Sequence, residues 1–416
     1  MRSFDLNHGV KLHVENTNKF KDVTVSIRFL TDLLTDKATI RSLLGMLLVD
    51  RTLKYDTKQK LQRQLDLLYG ANVYHKVTGY GKGHVLEIKS QVLNERYTKE
   101  PLLKDQFELL SEVIMRPLLN EITFEEAKRL LKEKFDRYFE SPSSYASKKL
   151  LEYGAINDPL SIYAAGEVDY IENITLDDVL VEYQNLISNN QVDIFVVGDV
   201  NEDEVVSLAK EYLPLQSVKL DESYYMIQSQ EYACGKETKD IQQSILSLLY
   251  RTGVNIQHPD YWALRIVNGM FGAFPVSYLF QEVREKRSLC YSIYSSIIAY
   301  DGALVVQTGI DKQNIELAQE LIGQQLLRLQ QNDFSDELVI ITKEMLKNGL
   351  LTIEDGVSSL IGLGYQSILL DKKQTLESFI EQIDRVSRED ILRVVQQLQL
   401  QYTFVLEQED FDEEAL

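Results

Sequence analysis

The chain is short of the residues that cross-link a fold or anchor it to a membrane. Its only cysteines, Cys234 and Cys290, lie far apart and outside any CxxC pair, which fits free thiols in a reducing compartment better than a disulfide framework. Seven prolines in 416 residues, with 44% hydrophobic and 26% charged residues, exclude a fibrous or disordered chain and leave a soluble globular protein. No run of 18 apolar residues occurs, and Met1–Val10 mixes Arg2, Asp5, Asn7 and His8 with few apolar residues. Neither a membrane span nor a signal-peptide core is expected, and the expected location is cytoplasmic. Basic residues are in deficit: 44 Lys and Arg face 64 Asp and Glu, a net charge of −20 that repels nucleic acid and anionic membrane surfaces.

Catalytic signatures are equally scarce. The five histidines, His8, His13, His75, His84 and His258, form no i, i+4 pair, and each reads as a surface or strand residue rather than a ligand. Gly79-Tyr80-Gly81-Lys82-Gly83-His84 lacks the spacing of a phosphate loop and reads as a glycine-rich strand connection. There is no Gly-x-Ser-x-Gly elbow, and neither cysteine has a recognisable histidine partner.

What is present is a repeated α+β plan. Alternating runs at Val10–Val14 and Val23–Phe29 predict strands, and Ile40, Leu43, Leu44, Leu47 and Leu48 predict a helix within Lys37–Thr52. A short helix over Lys58–Leu68 and strands near Asn72–Thr78 and Val85–Val92 follow. Pro101–Met115 and Ile122–Glu140 are amphipathic helices, the second broken at Ser141-Pro142-Ser143-Ser144, and a further helix leads to Pro159. Thr175 or Asp177 caps a helix reaching about Ile187, before a strand at Val192–Val197 and a helix over Glu202–Tyr212. Leu213–Glu231 has little periodicity and contains the expected connection between lobes.

The second half repeats this order, with a strand near Gln243–Tyr250, a helix from about Asp260 to Met270, a glycine-containing turn, another helix, and strands near Tyr291–Ile298 and Ala303–Thr308. Ile174-Thr175-Leu176-Asp177-Asp178-Val179-Leu180 matches Val386-Ser387-Arg388-Glu389-Asp390-Ile391-Leu392 at an offset of 212 residues, about half the chain. Two homologous lobes follow, at 1–215 and 232–416, joined by a linker at 216–231. Each is expected to be a mostly antiparallel sheet packed with helices.

The most specific segment runs from Val267 to Ser292. Its Ser277, Leu279-Phe280, Arg284-Glu285 and Leu289 core, with Tyr291 seven residues after Arg284, resembles the C-terminal-lobe signature of the pitrilysin/insulinase-like (M16) zinc peptidases. The resemblance implies the LuxS/MPP-like two-lobed fold, and it implies that Arg284 and Tyr291 orient a bound peptide; both donate hydrogen bonds suited to peptide carbonyls. From the residues alone, Arg284 reads first as an arginine tied to Glu285 or Glu282, and Tyr291 as a tyrosine packed at a strand start. Ser288 stands where the family usually has glycine.

Active members carry His-x-x-Glu-His on a first-lobe helix, two zinc ligands flanking a general base. Aligned on that motif, the ligand positions fall on Arg41 and Gly45 and the base on Leu44, and none can serve: a permanent cation, no side chain, and an alkyl group. The third ligand position falls on Glu133 and its companion on Glu126; pairing with Lys or Arg one turn away accounts for both more simply than residual metal binding. The resemblance therefore implies a non-catalytic subunit that holds no cofactor, binds peptide, and completes the chamber of an active paralogue carrying the zinc. The alternative is a homodimeric peptide-binding or structural scaffold with no peptidase partner.

Overall fold

Two β-sheets carry the chain, and both are assembled by one strand order. In the computed structural model, which describes residues 1–409, the first sheet holds β1 (Arg2–Asp5), β2 (Lys11–Asn16), β3 (Asp22–Asp32), β4 (Asn72–Tyr80), β5 (Gly83–Leu93) and β6 (Gln191–Gly198) in the order β1-β2-β6-β3-β5-β4. The second holds β7 (Ala233–Lys239), β8 (Ser244–Arg251), β9 (Ile293–Ile298), β10 (Ala303–Ile310) and β11 (Gln399–Gln408) in the order β7-β11-β8-β10-β9. Without β1 the two orders superimpose strand for strand. Even the exception repeats: β2/β6 and β7/β11 are the parallel pairs, and all other pairs are antiparallel.

The repeated heptapeptide has a physical job at the same point in each half. Thr175 and Asp178 form a reciprocal capping box at the start of the Leu176–Asn189 helix, and Ser387 and Asp390 form another at the start of the Arg388–Val395 helix. Each satisfies two of the backbone groups a helix start leaves without partners, a stabilisation of about 1 kcal/mol. Each helix then feeds an inner strand, β6 or β11, that pairs parallel on one side and antiparallel on the other.

Alternation along β3 sorts the first sheet into two faces. Val25, Ile27 and Phe29 are fully buried on one, where the helix Thr35–Leu48 meets Leu86 and His75. Ser26 and Arg28 lie on the other, beside Phe195 and Glu87, and the helix Val357–Leu369 covers this polar face through Tyr365.

The compact units are discontinuous, unlike the contiguous spans drawn from sequence. One consists of Met1–Phe135, Tyr163–Ser223 and Glu354–Lys372; the other of Asp136–Ile162, Tyr224–Ile353 and the chain from Lys373 on. The cause is where apolar faces find cover. Ala146 and Leu150 of the helix Pro142–Gly154 join the core of Leu249 and Phe404 from β8 and β11, while Ile361 and Tyr365 of Val357–Leu369 are buried in the first unit. The connection at 213–232 has no regular secondary structure: Ser217 and Val218 bond to His8 and Asn190, whereas Tyr225 and Ile227 bond to Tyr300 and Asp301.

Candidate functional site

The helix Thr35–Leu48 carries the three positions that the resemblance aligns with the zinc motif and closes each in a different way. Arg41 is wholly buried. Its Nη1 donates to Glu182 Oε1 at 2.8 Å and to Asn190 Oδ1 at 3.0 Å, and its Nη2 to the Phe29 carbonyl at 2.9 Å. Burial lowers the guanidinium from its ordinary value, and Glu182 opposes that shift. Leu44 is fully buried hydrocarbon. At Gly45 an added Cβ would lie 2.8 Å from His75 Cδ2 and 2.9 Å from Leu86 Cδ1, so the space a ligand side chain needs is already filled. Burial, assisted by Lys134, pushes His75 down to about 4, leaving a neutral ring at physiological pH.

The helix Glu121–Phe139 places the two downstream glutamates in ion pairs. Glu133 accepts from Arg129 one turn earlier at 2.6 Å. Glu126 pairs with Arg51 at 2.6 Å and Lys58 at 3.1 Å, partners from another part of the chain rather than one turn away. Among the described residues, no group of three or more His, Cys, Asp or Glu is placed to hold a metal ion. At the positions that the resemblance aligns with the zinc motif, a fixed cation and a glycine under His75 stand for two ligands and a packed leucine for the base, a set that does not fit zinc.

The second-lobe segment is built differently from a plain helix–turn–helix. The helix Tyr261–Asn268 widens into a π-type turn over Gly269–Ala273, and Leu279–Glu285 is π-type as well; such insertions recur at functional positions. Arg284 lies over the Phe280 ring at 4.3 Å and the Tyr291 ring at 5.8 Å. Glu285 is 3.6 Å from its guanidinium, beyond hydrogen-bond reach, and Glu282 is engaged by Lys286 at 2.7 Å. Tyr291 is 85% exposed and precedes β9, which starts at Ile293 rather than at Tyr291. Ser288 takes the left-handed φ of 53° that glycine accepts without strain.

Sequence reasoning missed Phe280 as the base of this stack, although its i, i+4 spacing to Arg284 is a legible signal. It also missed Glu182 and Asn190, which lie more than 140 residues from Arg41 and left no local trace.

Comparison with known proteins places this geometry in a family. The model described as "Peptidase M16 inactive domain" matches residues 173–346. A Bacillus subtilis protein described as the probable inactive metalloprotease YmfF is 31% identical over 410 residues, covering 96% of each chain. A conserved protein from Enterococcus faecalis V583 shares the structure with a TM-score of 0.90 at 32% identity, covering 98% of each chain. The peptidase M16 inactive domain from Pseudomonas fluorescens shares the fold at 16% identity, with a TM-score of 0.82 and 98% of each chain covered. No described helix is long and apolar enough to cross a membrane. With the duplicated sheets in place and a relative named an inactive metalloprotease matching 96% of the chain at 31% identity, the chain belongs to the M16 peptidase family as one of its inactive metallopeptidase homologues.

Proposed function

We propose that this chain is a non-catalytic M16-type subunit that binds peptide through Arg284 and Tyr291 and completes the chamber of a zinc-bearing paralogue. The observation that carries the reading is the Arg284 stack. A tyrosine 85% exposed adds little to a core, yet its ring is held beside a guanidinium whose acidic neighbour, Glu285, stands at 3.6 Å and which has no hydrogen-bonded carboxylate among the described residues. A guanidinium held against two rings and an exposed phenol are donors set in place before a peptide carbonyl arrives. The chain itself contributes grip and no zinc chemistry; the metal belongs to the partner. The compartment is the cytoplasm.

The test pairs this chain with paralogues carrying intact His-x-x-Glu-His and follows cleavage of unstructured peptides. Stimulated turnover that falls at least about tenfold with Arg284→Ala and severalfold with Tyr291→Phe, without loss of folding, supports the role. Unchanged turnover in both variants removes it. A stable homodimer that stimulates no paralogue favours the scaffold instead.

A further inference from the structure

Four strands lie at the edges of the two sheets, and three of them carry charge. β1 has Arg2 and Asp5, β4 has Lys76, and β7 has Lys236, Glu237 and Lys239. Charges on an edge keep it from pairing with another strand. The fourth edge, β9, reads Ile-Tyr-Ser-Ser-Ile-Ile from Ile293 to Ile298, with no charge and no proline. Its register against β10 runs from Ile293↔Thr308 to Ile298↔Ala303 without a bulge. Among the described residues β10 is its only strand partner, and no backbone group of residues 293–297 bonds to backbone outside that pair. The N–H and C=O groups of alternate residues therefore point outward, open to a further strand.

The strand is also held in place from both faces. Ile293 and Ser295 are buried on one, where Ser295 Oγ donates to Asn268 Oδ1 at 2.6 Å beside the π-type turn Gly269–Ala273. On the other, Tyr294 is 45% exposed, and its hydroxyl donates at 2.8 Å to Oε1 of Gln307, its cross-strand partner on β10. Ser296, on the same face as Tyr294, is exposed. An edge fixed in this way loses little entropy when a strand joins it. β9 begins two residues after Tyr291, so the exposed phenol and the Arg284 guanidinium stand at its N-terminal end.

We propose that the outer edge of β9 takes up an extended peptide as a sixth strand of the second sheet, with uncharged, β-forming side chains beside Tyr294 and Ser296. Main-chain hydrogen bonds along the edge supply affinity for any extended sequence, and alternate side chains supply the preference. A β-branched or aromatic residue packs well against Tyr294, whereas a proline removes a donor from the ladder. A second copy of this chain offers the same uncharged edge, but pairing β9 with β9 brings together two molecules of net charge −20 each, which a short peptide avoids. The inference rests on the peptide-binding reading of Arg284 and Tyr291, which hold one end of the peptide; the edge adds the backbone contacts that follow.

The experiment uses the full chain and a set of unstructured peptides rich in Val, Thr and Tyr, each N-methylated at one successive backbone nitrogen. Affinity is read by fluorescence anisotropy, and hydrogen exchange is followed over residues 293–298 with and without peptide. Affinity is expected to fall about tenfold or more at every second methylated position and to change little between them, because only alternate N–H groups face the edge. Bound peptide is expected to slow exchange in β9. Peptides that bind with no such alternation and no protection of β9 overturn the edge while leaving the Arg284 and Tyr291 grip intact. Alternation that persists undiminished when Arg284→Ala is combined with Tyr291→Phe supports the edge and overturns that grip. Protection of β9 that grows with protein concentration in the absence of peptide assigns the edge to a second copy and overturns the peptide as its occupant. Binding of no peptide in the set overturns both.

Discussion

Putting the zinc motif back, with Arg41→His, Leu44→Glu and Gly45→His together, is expected to cost the protein its fold rather than return a metal site. Removing Arg41 strands Glu182, only 5% exposed at its side chain, in the interior; breaking one side of a buried pair costs about 3–5 kcal/mol. Leu44→Glu places a carboxylate where the present side chain is fully buried, a cost of several kcal/mol unless it is neutralised. Gly45→His starts with a Cβ 2.8 Å from the His75 ring and 2.9 Å from Leu86, and overpacking of that kind costs about 1–3 kcal/mol. The positions are neighbours, so their costs do not simply add. The first alone consumes a large share of the roughly 5–15 kcal/mol typical of a folded domain. The triple variant is expected to lose its cooperative melt by circular dichroism and to carry no zinc by elemental analysis. A soluble triple variant that melts within a few degrees of the parent and holds one zinc per chain refutes the reasoning at this helix.

Three further outcomes are expected. Replacing the buried pair as Arg41→Met with Glu182→Leu is expected to be far less damaging than Arg41→Met alone, by about 2–4 kcal/mol in urea denaturation, because no charge is left stranded; equal losses would remove the ion pair as the cause. Ser288→Gly relieves a left-handed φ and is expected to raise stability by about 0.5–1 kcal/mol at unchanged m-value, whereas a loss would mean that the serine side chain has a compensating role. Asp301 is 4% exposed and burial pushes its carboxyl up to about 6, with Tyr225 opposing through a hydrogen bond. A folded-state value above the unfolded one means that its protonated form favours the fold, so this contribution is full below about pH 4 and lost as pH rises to about 6. Asp301→Asn is therefore expected to gain about 2 kcal/mol on the parent between pH 4.5 and 7.5; a pH-independent difference would contradict the buried ionisation.

Legibility in the sequence followed how local the physical cause was. Helix starts marked by capping pairs, such as Thr175 with Asp178, and strands marked by apolar runs, such as Val192–Val197, carry their cause within a few residues. The edge strand β7 does not: Ala-Cys-Gly-Lys-Glu-Thr-Lys has no alternation, and only its parallel pairing with β11 makes it a strand. The helices Ile315–Gln330, Asp336–Leu351 and Val357–Leu369 fall in a stretch that the sequence reading left unassigned. Arg284 and Tyr291 stand out in the sequence as residue types at a family spacing, whereas the alignment of Arg41, Leu44 and Gly45 with the zinc motif rests on position alone. That Arg41 points into an ion pair, or that Gly45 lies under His75, depends on chain segments far away and is written in no window of sequence.

The threading of each unit from three separate stretches bears on how the protein is made. The first sheet has all its strands once residue 198 is synthesised, but the helix that covers its polar face ends at Leu369. A nascent chain emerging from the ribosome must therefore carry Arg28, Glu87 and Lys89 uncovered when more than half the protein is still to come. Fragments cut at the connecting segment inherit the same gap, so neither half is a natural unit for separate expression. Folding becomes a late, whole-chain event in which the last quarter of the polypeptide completes the first.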